Sequence, residues 1–176
     1  MPQRTSHQPP MAQGRPDDFQ TPPEAIIPLL PYIKKEWTIW ECAAGAGYLV
    51  QGLEIIADYR VIASDILTGQ DFLRWQPEHW DCIVTNPPYS LKQEFLERCY
   101  QLGKPFALLL PLTTFETRKR QALFSKYGLE VVFLDRRVNF MTPSGEGTGS
   151  WFATAWFTNW LNIGRAMTFT ELPREV

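Results

Sequence analysis

Thr38-Ile39-Trp40-Glu41-Cys42-Ala43-Ala44-Gly45-Ala46-Gly47-Tyr48 is the stretch that decides the architecture of this chain. Thr38-Ile39-Trp40-Glu41 is short and rich in β-branched and aromatic side chains, as a buried strand is. Gly45 and Gly47 then allow a tight turn and a close backbone approach, and Tyr48 to Ile56 reads as a helix. A strand that enters a helix through such a turn opens a βαβ unit. The rest of the chain continues the alternation. Arg60-Val61-Ile62-Ala63-Ser64 predicts a second strand, closed by Asp65, and Asp81 to Val84 a third. A helix from about Leu91 to Leu102 carries Phe95, Leu96, Cys99 and Leu102 on one face. Phe106-Ala107-Leu108-Leu109-Leu110 is a continuous apolar run stopped by Pro111, the pattern of a strand covered on both faces. A helix near Phe115 to Tyr127, a strand at Leu129 to Leu134 and a last strand at Trp151 to Phe157 complete the series. Strands alternating with helices predict an α/β fold, a mostly parallel sheet with helices on both faces. In such sheets ligands bind at the carboxyl ends of the strands.

Asn86-Pro87-Pro88-Tyr89 stands at one of those ends. Two prolines fix two φ angles and remove two donors, so the loop is stiff and its carbonyls remain acceptors. The Asn86 amide oxygen and a fixed carbonyl form a pair of acceptors suited to a planar NH2 group. The Tyr89 ring offers a flat surface for a heterocycle. An ordinary strand exit, with Tyr89 packed on the core, is the structural alternative. Three acids close successive strands or the turns after them: Glu41, Asp65 and Asp71. Asp65 can accept both hydroxyls of a ribose, and Asp71-Phe72 can hold an adenine by polar contact and packing; each acid could equally cap a helix. A dinucleotide fingerprint would place a third small residue where Val50 stands, which disfavours a diphosphate ligand.

The remaining composition bounds the answer. At 176 residues the chain fits one domain. Met1 to about Pro16 is rich in Gln, Pro and Arg and reads as a disordered tail, which leaves 17–176 as the folded unit. Order is expected to begin at a capping box, with Thr21 as N-cap, Pro22 at the first helical position and Glu24 completing it. The net charge of −2 argues against a protein that coats nucleic acid electrostatically. Arg118-Lys119-Arg120 and Arg136-Arg137 are candidates for a local basic groove, or simply solvated faces. Cys42, Cys82 and Cys99 are odd in number and widely spaced, which excludes a familiar zinc framework and disfavours a disulfide scaffold. No apolar run approaches a bilayer span and no secretory signal is visible, so a reduced, cytoplasmic protein without membrane contact is expected.

On these residues the chain resembles a class I S-adenosylmethionine-dependent methyltransferase, of the amino-methylating group that includes DNA adenine-N6 methyltransferases. The resemblance covers about Phe19 to Trp160 and is nearest to the small phage or prophage enzymes of restriction-modification type. It implies a Rossmann-like fold with an antiparallel last strand. It implies S-adenosylmethionine as cofactor, with Thr21, Glu41, Ala43, Gly45, Gly47, Asp65, Asp71 and Phe72 at its site, and no metal. Asn86, Pro87, Pro88 and Tyr89 are similar to the family's catalytic motif. The target is then an exocyclic amine, with adenine N6 of DNA the leading expectation. RNA bases, protein glutamine, and a non-catalytic cofactor-binding subunit are the alternatives. A separate target-recognition region is absent from this reading, so a partner could supply it. The chain also has Ala43 and Ala44 where the family often has Phe. The Gly-rich connection from Val138 to Ser150 is expected either to close over the substrate or to be a solvated hairpin.

Overall fold

In the computed structural model the described residues are 19–142, 145–146 and 152–172. The expected tail, Trp151 and most of the Gly-rich connection lie outside them. Parallel strands β1 (Thr38–Glu41), β2 (Arg60–Ala63), β3 (Cys82–Thr85) and β4 (Phe106–Pro111) are followed by β5 (Glu130–Leu134). A two-stranded ribbon, β6 (Met141–Thr142) with β7 (Gly145–Glu146), precedes β8 (Thr154–Asn159) and β9 (Met167–Thr170). The main sheet has seven strands in the order β2-β1-β3-β4-β8-β5-β9. β8 runs antiparallel to both β4 and β5. The antiparallel strand is therefore in place, and a further edge strand, β9, follows it and runs parallel to β5. β9 was missed because Met167-Thr168-Phe169-Thr170 is too short to signal above its polar surroundings.

Successive residues of each strand face opposite sides, and this splits the core in two. Ile39, Val84, Ala107, Leu109, Val132 and Trp156 meet Ile26, Leu29, Leu49 and Leu53 on one face. Trp40, Ile83, Leu108, Val131 and Phe157 meet Phe95, Leu96, Cys99 and Tyr100 of α2 (Lys92–Leu102) on the other. Leu123 and Phe124 of α3 (Arg118–Tyr127) also lie against that second face. β4 and β8 are buried along their whole length; β4 is an unbroken apolar run, whereas β8 also buries Thr154, Thr158 and Asn159.

The helices depart from expectation at two places. The first is no α-helix with a Thr21 cap. Pro23–Leu29 is 3-10, its cap position is Pro22, and Thr21 makes no capping bond. Pro22 keeps an extended backbone (φ −64°, ψ 146°) and so stands outside the helix as its cap, which leaves Thr21 one residue too early to cap it. The helix after the glycine turn begins as α1 (Tyr48–Gln51) and widens into a π segment over Gly52–Ile56. Gly52 is the reason the two elements fit: a Cβ there would sit 2.5 Å from the Pro23 carbonyl oxygen.

Candidate active site

The carboxyl ends of β1, β2 and β3 open on a cavity of about 570 Å³. Of the expected cofactor residues, Thr21, Glu41, Ala43, Gly45, Asp65, Asp71 and Phe72 line it, together with Asn86 and Pro88 of the proline loop. Gly47, Pro87 and Tyr89 do not. Gly47 instead caps α1 in a left-handed conformation at φ 85°.

Glu41 ends β1 with its side chain buried. One carboxyl oxygen accepts from the Ala43 N–H at 2.9 Å and from the Thr85 hydroxyl. Burial raises its pKa from 4.5 to about 8; those two donors oppose the shift and the nearby Asp65 charge adds to it. Near neutral pH the site therefore holds an acid that prefers its neutral form. Burial likewise pushes up the Cys42 thiol beside it, an inert buried cysteine like Cys82 and Cys99.

Asp65 holds two turns at once. Its Oδ1 accepts from Leu67 N at 2.8 Å, holding the 3-10 turn Ile66–Thr68. Its Oδ2 accepts from Gly45 N at 2.9 Å, clamping the glycine turn. A carboxylate offers about four lone-pair sites, so acceptor capacity remains for a ligand. Asp71 accepts from Leu73 N at 3.0 Å, and Phe72 stacks on Phe95 with centroids 4.5 Å apart. Ile66 and Leu67 line the cavity while remaining 65% and 68% exposed. Large apolar side chains left open at a cavity rim are surfaces for a ligand to cover.

Sequence reasoning undervalued Gln20. Its Oε1 accepts from Ala46 N at 2.9 Å, and its carboxamide packs so closely on Gly45 that a Cβ there would lie 2.8 Å away. Gly45 sits at φ +52°, a conformation that favours glycine, and the Gln20 carboxamide fills the space a side chain there would take. The Gln20 backbone forms a two-bond antiparallel bridge with Met141, at 3.0 and 2.9 Å. Leu49, Leu91 and Phe95 complete the walls; Phe95 belongs to the apolar face expected of its helix, and a helical period cannot tell a core from a cavity.

Asn86 is oriented from 67 residues away: its Nδ2 donates to the Phe19 carbonyl at 2.8 Å. This leaves Oδ1 buried and without a hydrogen-bond partner among the described residues. Thr21 Oγ1 shares that condition on the same cavity. Buried polar atoms without partners are uncommon in folded proteins and mark strain or a missing ligand. Tyr89 belongs to an aromatic group beside Asn86, stacked on Phe19 at 5.7 Å and edge-on to Phe152 at 5.6 Å and Phe140 at 6.5 Å. Phe140 and Phe152, which precede and follow residues 143–151, stack on each other within this group.

The basic runs are more heavily committed than their sequence implied. Arg120 is buried, donating to the Thr113 and Thr114 carbonyls. Lys119 pairs with Glu97 at 2.7 Å and Arg136 donates to the Leu172 carbonyl. Arg118 and Arg137 are exposed. Among the described residues no helix is long and apolar enough to cross a membrane, and no cluster of metal ligands occurs.

The sheet order, the single antiparallel strand and the cavity at the strand ends are those of a Rossmann-like, class I methyltransferase fold. The modification subunit of a proposed type I restriction enzyme from Vibrio vulnificus has a similar structure, with a TM-score of 0.51 at 14% identity over 93% of this chain and 49% of that one. A proposed RNA methyltransferase from Pyrococcus horikoshii has a TM-score of 0.50 at 12% identity, over 77% of this chain and 79% of that one. This chain thus spans about half the length of the modification subunit. No protein-family model and no curated protein sequence matches the chain.

Proposed function

We propose that this protein transfers a methyl group from S-adenosylmethionine to the N6 amine of adenine in nucleic acid, DNA first. The observation that carries the reading is Asn86 Oδ1, a buried acceptor held without a partner at the cavity wall. The cavity fits the cofactor in kind. Thr21 Oγ1 and the Glu41 carboxyl suit its cationic amino-acid end, Asp65 its ribose hydroxyls, and Asp71 with Phe72, Phe95, Ile66 and Leu67 a flat adenine. Bound S-adenosylmethionine would supply an electrophilic methyl on a positively charged sulfur that leaves as a neutral thioether.

The protein's own task is to make a poor nucleophile adequate. The lone pair of an exocyclic amine is conjugated with its ring. Asn86 Oδ1 accepting one N–H, and the Pro87 carbonyl the other, would favour a pyramidal nitrogen with its lone pair directed at the methyl. Phe19 contributes by fixing which end of the Asn86 amide faces the cavity, so no reorganisation is needed on binding. Phe19 lines the cavity and belongs to an aromatic group with Tyr89, Phe140 and Phe152; aromatic surface beside Asn86 favours a planar heterocycle over a flexible glutamine side chain. An adenine within a duplex would have to leave the stack to reach it. The sparse exposed charge argues for weak nonspecific DNA affinity and for a partner that supplies target recognition.

Asn86→Ala tests the assignment directly. Cofactor affinity measured by calorimetry should be retained while turnover falls by about 10²–10³, the loss seen when one transition-state hydrogen-bond partner is removed. Equal turnover in the two proteins would refute the role of Asn86.

A further inference from the structure

The outer edge of β9 pairs with nothing among the described residues. Its inner edge is defined by two ladder bonds: Val131 N donates to the Ala166 carbonyl and Asp135 N to the Thr170 carbonyl, both at 2.9 Å. Residues 166, 168 and 170 thus turn their backbone groups toward β5, and by strand alternation Met167 and Phe169 turn theirs outward. The same two residues carry the exposed side chains of the strand, Met167 at 59% and Phe169 at 77%. Phe169 stacks on Phe133 at 5.2 Å and 19°, which extends the apolar surface onto β5. Exposed Arg165 precedes the strand and exposed Glu171 follows it. Neither forms an ion pair with a described residue. An open edge of this kind is normally blunted by Lys, Pro or a bulge, and Met167-Thr168-Phe169-Thr170 contains neither Lys nor Pro.

We propose that β9 is the contact of a two-fold homodimer, pairing antiparallel with β9 of a second copy about Thr168. In that register Met167 faces the partner's Phe169, and the free N–H and C=O groups of the two exchange hydrogen bonds, once on each side of the axis. The thioether meets an aromatic ring there, a favourable contact. Arg165, in the bend just before the strand, comes within reach of the partner's Glu171 just past its strand's end, again twice. This charge match selects the occupant. The order Arg, Met, Phe, Glu, read at alternate residues, is complementary to its own reverse. Sliding the register by two residues sets Arg165 against Phe169 or Glu171 against Met167. An isologous contact of this kind closes on itself and joins two seven-stranded sheets into one.

Charge reversal tests the proposal independently of any catalytic reading. Sedimentation equilibrium of the full chain should give twice the 20.3 kDa chain mass. Arg165→Glu alone and Glu171→Arg alone should each weaken the dimer by roughly tenfold or more, since each variant places like charges opposite one another twice. An equimolar mixture of the two should recover a heterodimer of wild-type strength, because every Arg then faces a Glu. That recovery also shows that neither variant is merely misfolded. The proposal is overturned by a wild-type protein that stays monomeric up to about 1 mM, a very weak affinity. It is equally overturned by a dimer indifferent to both reversals, or by a mixture that fails to recover.

Discussion

Glu41→Gln isolates the buried acid with little change of shape. The variant keeps an acceptor for the Ala43 N–H and the Thr85 hydroxyl, and loses only the titration. The sign follows from the shift. Glu41 has its pKa raised from 4.5 to about 8 in the folded chain, so between these values the folded state keeps a proton that the unfolded state has lost. Its contribution is therefore fully present below pH 4.5, declines as pH rises, and is exhausted near pH 8. The slope is at most one proton, about 1.4 kcal/mol per pH unit. Relaxation of the surroundings on ionisation reduces the total, to roughly 2–4 kcal/mol across the window. Chemical denaturation at intervals from pH 5 to pH 8 should show wild type losing stability relative to Glu41→Gln by that amount. Calorimetry at pH 7 in buffers of different ionisation enthalpy should detect a proton released when S-adenosylmethionine binds wild type, and none with the variant. Parallel stability profiles for the two proteins would refute the claim that Glu41 is held neutral.

Other perturbations separate the parts of the site. Asp65→Ala should weaken cofactor binding by about 1–3 kcal/mol, the scale of lost charge-assisted hydrogen bonds; unchanged affinity in the folded variant would remove Asp65 from the ligand contacts. Gly52→Ala should cost about 1–3 kcal/mol of stability, because the added methyl meets the Pro23 backbone at 2.5 Å; an unaltered melting temperature would show that the segment yields freely. Tyr89→Ala should raise KM for the nucleic acid while Tyr89→Phe is tolerated, and a large loss in the Phe variant would assign work to the hydroxyl. Activity on DNA should fall as salt rises, and Arg118→Ala should make that fall shallower; identical salt slopes would place the phosphate contacts elsewhere.

The sheet and the polar corners of the cavity were legible in the sequence because each rests on local chemistry. Phe106 to Pro111 has the pattern of a strand covered on both faces, and Glu41, Gly45, Asp65 and Asn86 stand where strands end or just beyond. What stayed hidden depends on distance. No local pattern joins Phe19 to Asn86, or Gln20 to both Ala46 and Met141. Thr21 read as a cap because its surroundings match one, and only the packing of Pro22 and Pro23 shows the hydroxyl left over at the cavity. Arg120 looked like part of a basic surface, yet tertiary contacts bury it.

Transfer of labelled methyl from S-adenosylmethionine, with the product identified, tests the central claim most directly. The full chain is incubated with labelled cofactor and, separately, with duplex DNA, single-stranded RNA and a nuclease-treated protein extract; each product is digested and resolved by mass. The account predicts N6-methyladenine from DNA, abolished in Asn86→Ala. Label found in protein glutamine, or in no product from any substrate while the cofactor still binds, would contradict it.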